Sequence, residues 1–91
     1  MYLDSEPVVL ASARKHGVAD EDILHAWHAA TWATGQQDDG LVMLVGPDRT
    51  GRLLELGAVE ARDLPGVPLL VHAMPARDKY LKNRDDHRCR R

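Results

Sequence analysis

The stretch Gly46-Pro-Asp-Arg-Thr-Gly51 lies between two apolar runs, and nothing else in the chain constrains its fold as strongly. Proline and glycine supply the dihedral angles of a reversing turn. The flanking segments, Leu41 to Val45 and Arg52 to Glu60, read as the two strands of a hairpin. A second set of turn residues, Ala61-Arg-Asp-Leu-Pro-Gly66, leads into a further apolar run from Val67 to Met74, which Pro75 ends. Three strands joined by short turns make an antiparallel meander. Thr31 to Thr34, β-branched and polar, adds a short strand before them, and Gln36 to Gly40 reads as a loop.

Upstream the pattern is helical. Pro7 to His16 reads as a first helix, capped by Ser5 or Asp4 and left through Gly17. A second starts near Asp20, with Glu21 and Asp22 at its positive end and Ile23, Leu24 and Trp27 as its buried stripe. Asp78 to Asn83 reads as a short closing helix. The expected class is α+β: two N-terminal helices packed on one face of a three- to four-stranded antiparallel meander, with a short C-terminal helix. Ninety-one residues supply one core. Residues 1–82 form the single domain, and 83–91 read as a basic, flexible tail.

The net charge of −2 conceals an uneven distribution. Residues 77–91 carry +4, and the rest of the chain carries −6. A basic end on an acidic body points to an anionic partner at that end, or to a solvated tail. Cys89 is the only cysteine, which excludes an intrachain disulfide framework and a cysteine-based zinc site. No apolar run reaches transmembrane length and no signal pattern follows Met1, so a soluble, cytoplasmic protein without membrane contact is expected.

Alternation along the strands brings chemistry together. Leu54, Leu56 and Ala58 share one face of their strand, and Leu53, Glu55, Gly57 and Val59 the other. In the last strand Leu69, Val71 and Ala73 share one face, and Leu70, His72 and Met74 the other. With the uninterrupted apolar sets against the helices, Glu55 and His72 fall together on the open face. If Val59 pairs with Pro68, Glu55 stands directly opposite His72. Histidine can give or take a proton near neutral pH, and arginine matches phosphate with two hydrogen bonds. Arg49, Arg52 and Arg77 lie at strand ends. The set has the groups to hold and cleave a phosphodiester; it is equally an ordinary cross-strand pair on a half-solvated sheet.

Other constellations have plainer readings. Glu21, His25 and His28 share a helix face but read as solvated, so no metal is expected there. His16-Gly17 is a helix exit, and Gly46 to Gly51 lacks the spacing of a phosphate-binding loop. Leu53, Val59, Leu70 and Met74, continued by Val42 and Leu44, would leave an apolar patch that a partner covers.

At Ala13-Arg-Lys-His-Gly-Val18, Glu21-Asp-Ile-Leu-His-Ala26, Gly51-Arg-Leu-Leu-Glu55, Val71-His-Ala-Met-Pro-Ala-Arg77 and Lys79-Tyr-Leu81 the chain resembles the BrnT-like toxins of bacterial type II toxin–antitoxin systems. The likeness spans residues 11–81. It departs in the last strand, which has His72-Ala-Met-Pro where that family tends to a Ser-Ala-Arg pattern. The resemblance implies a RelE-like fold, cofactor-free and metal-independent cleavage of messenger RNA, and neutralisation by a cognate antitoxin. On that reading His72 is the general base or acid, Glu55 its orienter or the alternate base, and Arg52 and Arg77 the phosphate clamps. Arg49, Lys79, Tyr80 and Lys82 lie along the RNA, with Tyr80 stacking on a base. The competing reading is a non-catalytic module whose open sheet face docks a protein or a second copy, as in a homodimer. A nucleic-acid-binding regulator would rest on the tail alone.

Overall fold

The computed structural model describes residues 6–34 and 40–78. It is α+β, with one α-helix and a five-stranded mixed sheet. The strands are β1 (Val8–Val9), β2 (Trp32–Ala33), β3 (Val42–Pro47), β4 (Leu53–Glu60) and β5 (Pro68–Pro75), and α1 is Asp20–His28. Their order across the sheet is β1-β5-β4-β3-β2. From β2 to β5 every neighbouring pair is antiparallel, which is the expected meander. Among the described residues no helix is long and apolar enough to cross a membrane.

The first expected helix does not form. Val8 and Val9 instead pair in parallel with Leu69 and Leu70, and only Ala11–Arg14 winds, as a single 3-10 turn. Adjacent β-branched residues favour extended backbone, and the edge of β5 offers them hydrogen bonds. The few residues left before Gly17 are too short for a stable α-helix. Gly17, at φ +78°, then turns the chain toward α1, using a left-handed conformation that costs glycine little. The expected helix over 78–83 lies outside the described residues beyond Asp78, as does the 83–91 tail.

α1 follows its sequence closely. Asp20, Glu21 and Asp22 occupy its first turn, where the helix dipole favours negative charge. Ala19 precedes it without a side-chain cap, its carbonyl accepting from the Asp22 and Ile23 N–H groups. Ile23, Ala26 and Trp27 are buried at helical spacing. They pack on Leu44, Leu54, Leu56, Ala58, Leu70 and Ala73, with Ala13 from the 3-10 turn closing the same core. β3 runs to Pro47, so Gly46 is a strand residue rather than the start of the turn. A Cβ at Gly46 would collide with the Ala26 carbonyl and come within 2.9 Å of the Ala30 Cα. The bare backbone there lets α1 lie directly on the sheet.

A bulge in β5 changes the expected register. Gly57 pairs with His72 but Ala58 pairs with Leu70, leaving Val71 as the extra residue. Leu70 therefore turns into the core beside Ala73, instead of sharing the His72 face. Leu44 belongs to that core and Val42 packs against it, so neither they nor Leu70 extends an open patch. Val59 pairs with Leu69 rather than Pro68, and Glu55 stands opposite Met74. The far face is also less bare than alternation suggests, since Met43 and Val45 are buried on it. Among the described residues the exposed large hydrophobic side chains are Val8 and Leu64.

Candidate functional site

The site is built on Glu55 in the middle of β4. Its side chain is 0% exposed, and both carboxylate oxygens accept hydrogen bonds. His72, two residues along β5 from the partner of Glu55, reaches it diagonally, with Nε2 at 2.8 Å from Oε2. Arg77, just beyond β5, closes the other side. Its backbone N–H donates to Oε1 at 2.9 Å, its Nε to both oxygens at 3.1 Å, and its Nη2 to Oε2 at 2.8 Å. The Ala76 N–H donates to the Leu53 carbonyl at 3.0 Å, carrying the ladder past Pro75 and fixing where Arg77 begins.

Burial pushes the Glu55 carboxyl up, but the Arg77 side chain, the Arg77 backbone N–H and His72 together outweigh it and hold the group below its ordinary range. The carboxylate is therefore ionised at neutral pH and can only accept. That assigns the proton on the shared His72 nitrogen to Nε2. In the neutral ring Nδ1 then carries the lone pair, ready to take a proton. The His72 side chain keeps 29% of its surface in water and that of Arg77 49%, so both present atoms to solvent from a buried anchor.

One neighbour escaped the sequence reading. The His16 ring lies 5.8 Å from that of His72, centroid to centroid, with the two planes at 80°. His16 follows the 3-10 turn, which Ser12 ties to the bulge: its Oγ donates to the Val71 carbonyl at 2.7 Å. No spacing rule links two histidines so far apart in the chain, and the bulge that receives Ser12 has no glycine or proline to mark it.

The other anticipated residues are placed differently. Arg49 binds Asp22 of α1, through Nε at 2.8 Å and its backbone N–H at 3.1 Å. Arg52 lies 3.6 Å from Asp48. Asp48 is itself the centre of the β3–β4 turn, accepting from the Thr50 N–H, the Thr50 hydroxyl and the Arg52 N–H. Both arginines thus sit at the turn against carboxylates, while His72, Glu55 and Arg77 form the contiguous set. Lys79, Tyr80 and Lys82 lie outside the described residues. On α1, His25 Nδ1 is 2.8 Å from the Pro47 carbonyl oxygen and His28 Nε2 is 2.8 Å from Glu6. Among the described residues no group of three or more His, Cys, Asp or Glu could hold a metal ion.

No protein-family model, curated protein or solved structure matches this chain.

Proposed function

We propose that the protein is a toxin-like RNA endonuclease with a RelE-like domain, neutralised by a cognate antitoxin that covers its RNA-binding side. The observation that carries the reading is the His72–Glu55 pair: a partly exposed imidazole whose inner nitrogen is held by a buried, ionised carboxylate. That arrangement fixes the tautomer and orientation of a proton acceptor, as a carboxylate partner does for histidine in other proton-transfer sites. Arg77 places a permanent cation beside it for the phosphate. Glu55, enclosed by its donors, orients His72 and does not itself reach substrate. The smaller exposed apolar surface beside the site removes part of the case for a purely docking face.

In the proposed reaction His72 Nδ1 takes the proton of a ribose 2′-hydroxyl. The 2′-oxygen bonds to phosphorus and the bond to the 5′-oxygen breaks; that oxygen takes a proton from an acid or from water, leaving a 2′,3′-cyclic phosphate and a 5′-hydroxyl. The test is induced expression of the wild type beside His72→Ala and Arg77→Ala, with growth followed and RNA ends mapped by primer extension. The expected result is growth arrest with discrete new RNA ends, lost by about 10²–10⁴-fold in rate for His72→Ala. A well-folded wild type that leaves growth and RNA intact would sink the nuclease and leave a binding module.

A further inference from the structure

We infer that His16 is the second proton-transfer residue of this site, the acid that protonates the departing 5′-oxygen while His72 acts as base. The inference rests on the nuclease reading of His72. Attack by the 2′-oxygen makes only half of the demand for proton transfer. The leaving 5′-oxygen departs as an alkoxide unless something donates to it, and alkoxide is a poor leaving group at neutral pH. Glu55 cannot serve, being ionised and enclosed. Arginine does not release its proton in proteins, which removes Arg77. Histidine is the side-chain type suited to hold an acidic proton at neutral pH, and among the described residues His16 is the histidine whose ring lies against that of His72.

Its placement is built rather than incidental. Ser12 anchors the 3-10 turn to the carbonyl of the bulge residue Val71, directly before His72. The Gly17 N–H donates to the Arg14 carbonyl at 3.0 Å, and the left-handed backbone at Gly17 ends the turn with His16 exposed. Two perpendicular imidazoles at 5.8 Å can face the entering and departing oxygens of one phosphodiester, because both oxygens are bonded to the same phosphorus in the transition state. The protons balance. His72 gains one from the 2′-hydroxyl, His16 loses one to the 5′-oxygen, and exchange with water restores both between turnovers.

A leaving group that needs no acid separates this role from simple support of His72. The RNA cut by the wild type is resynthesised with sulfur replacing the bridging 5′-oxygen at the mapped site, since a thiolate departs without protonation. His16→Ala is expected to slow cleavage of the all-oxygen RNA by about 10²–10⁴-fold and to cleave the sulfur-containing RNA within a few-fold of wild type. His72→Ala should be slow on both. Equal loss on both substrates for His16→Ala would make His16 a prop for its neighbour and overturn the inference, as would undiminished cleavage of the oxygen substrate. A thermal unfolding midpoint matching wild type confirms that the variant is folded. If the wild type cuts no RNA, the nuclease reading has itself failed; if it cuts and only His72→Ala is impaired, the inference about His16 alone is lost.

Discussion

Glu55 is the residue this fold must work hardest to keep, because a carboxylate with no surface in water is stable only while its donors hold. Glu55→Gln keeps the shape but gives Arg77 and His72 an amide that cannot match their donors. At pH 7 the variant should lose about 1–3 kcal/mol, the usual cost of leaving buried polar groups mismatched. Urea titration should show this as a lower midpoint at unchanged slope. The sign with pH follows from the depressed folded-state value. The unfolded chain takes up the Glu55 proton first as pH falls. Stability from this group is therefore complete above its ordinary value of about 4.3 and is lost as pH drops through the lower folded-state value. Asp20, Asp22 and Asp48 are lowered as well, by Arg14, by Arg49, and by Thr50 with Arg52. Urea midpoints measured from pH 7 to 3 should thus fall steeply below about pH 4.3 in the wild type and less steeply in Glu55→Gln. Equal slopes in the two proteins would show that Glu55 has no depressed value. At this scale the Glu55–His72 contact was legible in the sequence: strand alternation, with the apolar sets turned to the helical side, puts the two residues on one face. The diagonal contact was not, because Val71 in the run Leu69-Leu-Val-His72 looks like any strand residue and nothing local signals a bulge.

Among the elements, the close approach of α1 to β3 depends on the bare backbone of Gly46. The atoms a Cβ there would meet are the backbone of Ala26 in α1 and of Ala30 just beyond it, which cannot rotate out of the way. Gly46→Ala should destabilise the fold by about 1–3 kcal/mol through overpacking. It should also loosen the ties between α1 and the turn, Asp22 with Arg49 and His25 with the Pro47 carbonyl. Chemical denaturation measures the first effect. A rise in solvent quenching of tryptophan fluorescence, Trp27 being only 3% exposed, measures the second. An unchanged midpoint would mean that the helix shifts without cost. The strands were readable because turn residues bracket them, and α1 because its acidic start and apolar stripe agree. The first helix was misread for an equally physical reason. Val8-Val9 beside Leu10 to Lys15 fits a helix start as well as an edge strand, and the deciding factor is the open edge of β5 at Leu69 and Leu70, far away in sequence.

For the whole molecule, β1 matters through what it covers. A sheet edge presents unpaired N–H and carbonyl groups that invite another chain, and β1 occupies that edge at Leu69 and Leu70. The short strand is held in part by one bond beyond its end, from the Leu10 N–H to the Leu70 carbonyl at 3.0 Å. Leu10→Pro deletes that donor with little other backbone consequence. Leu10 has φ −85° and ψ 162°, close to what the proline ring imposes, and Val9 before it is already extended as proline requires. The core, the Glu55 cluster and the antiparallel meander make no use of this bond, so the variant should keep its α1 and β3–β5 structure. What changes is the edge. With β1 detached, the β5 backbone at Leu69 and Leu70 becomes available to a second copy. Sedimentation velocity over a range of concentrations should show Leu10→Pro self-associating more strongly than the wild type. An identical distribution for the two proteins would mean that the Ser12 bond to Val71 already shields the edge, and that β1 contributes pairing energy but no protection against association.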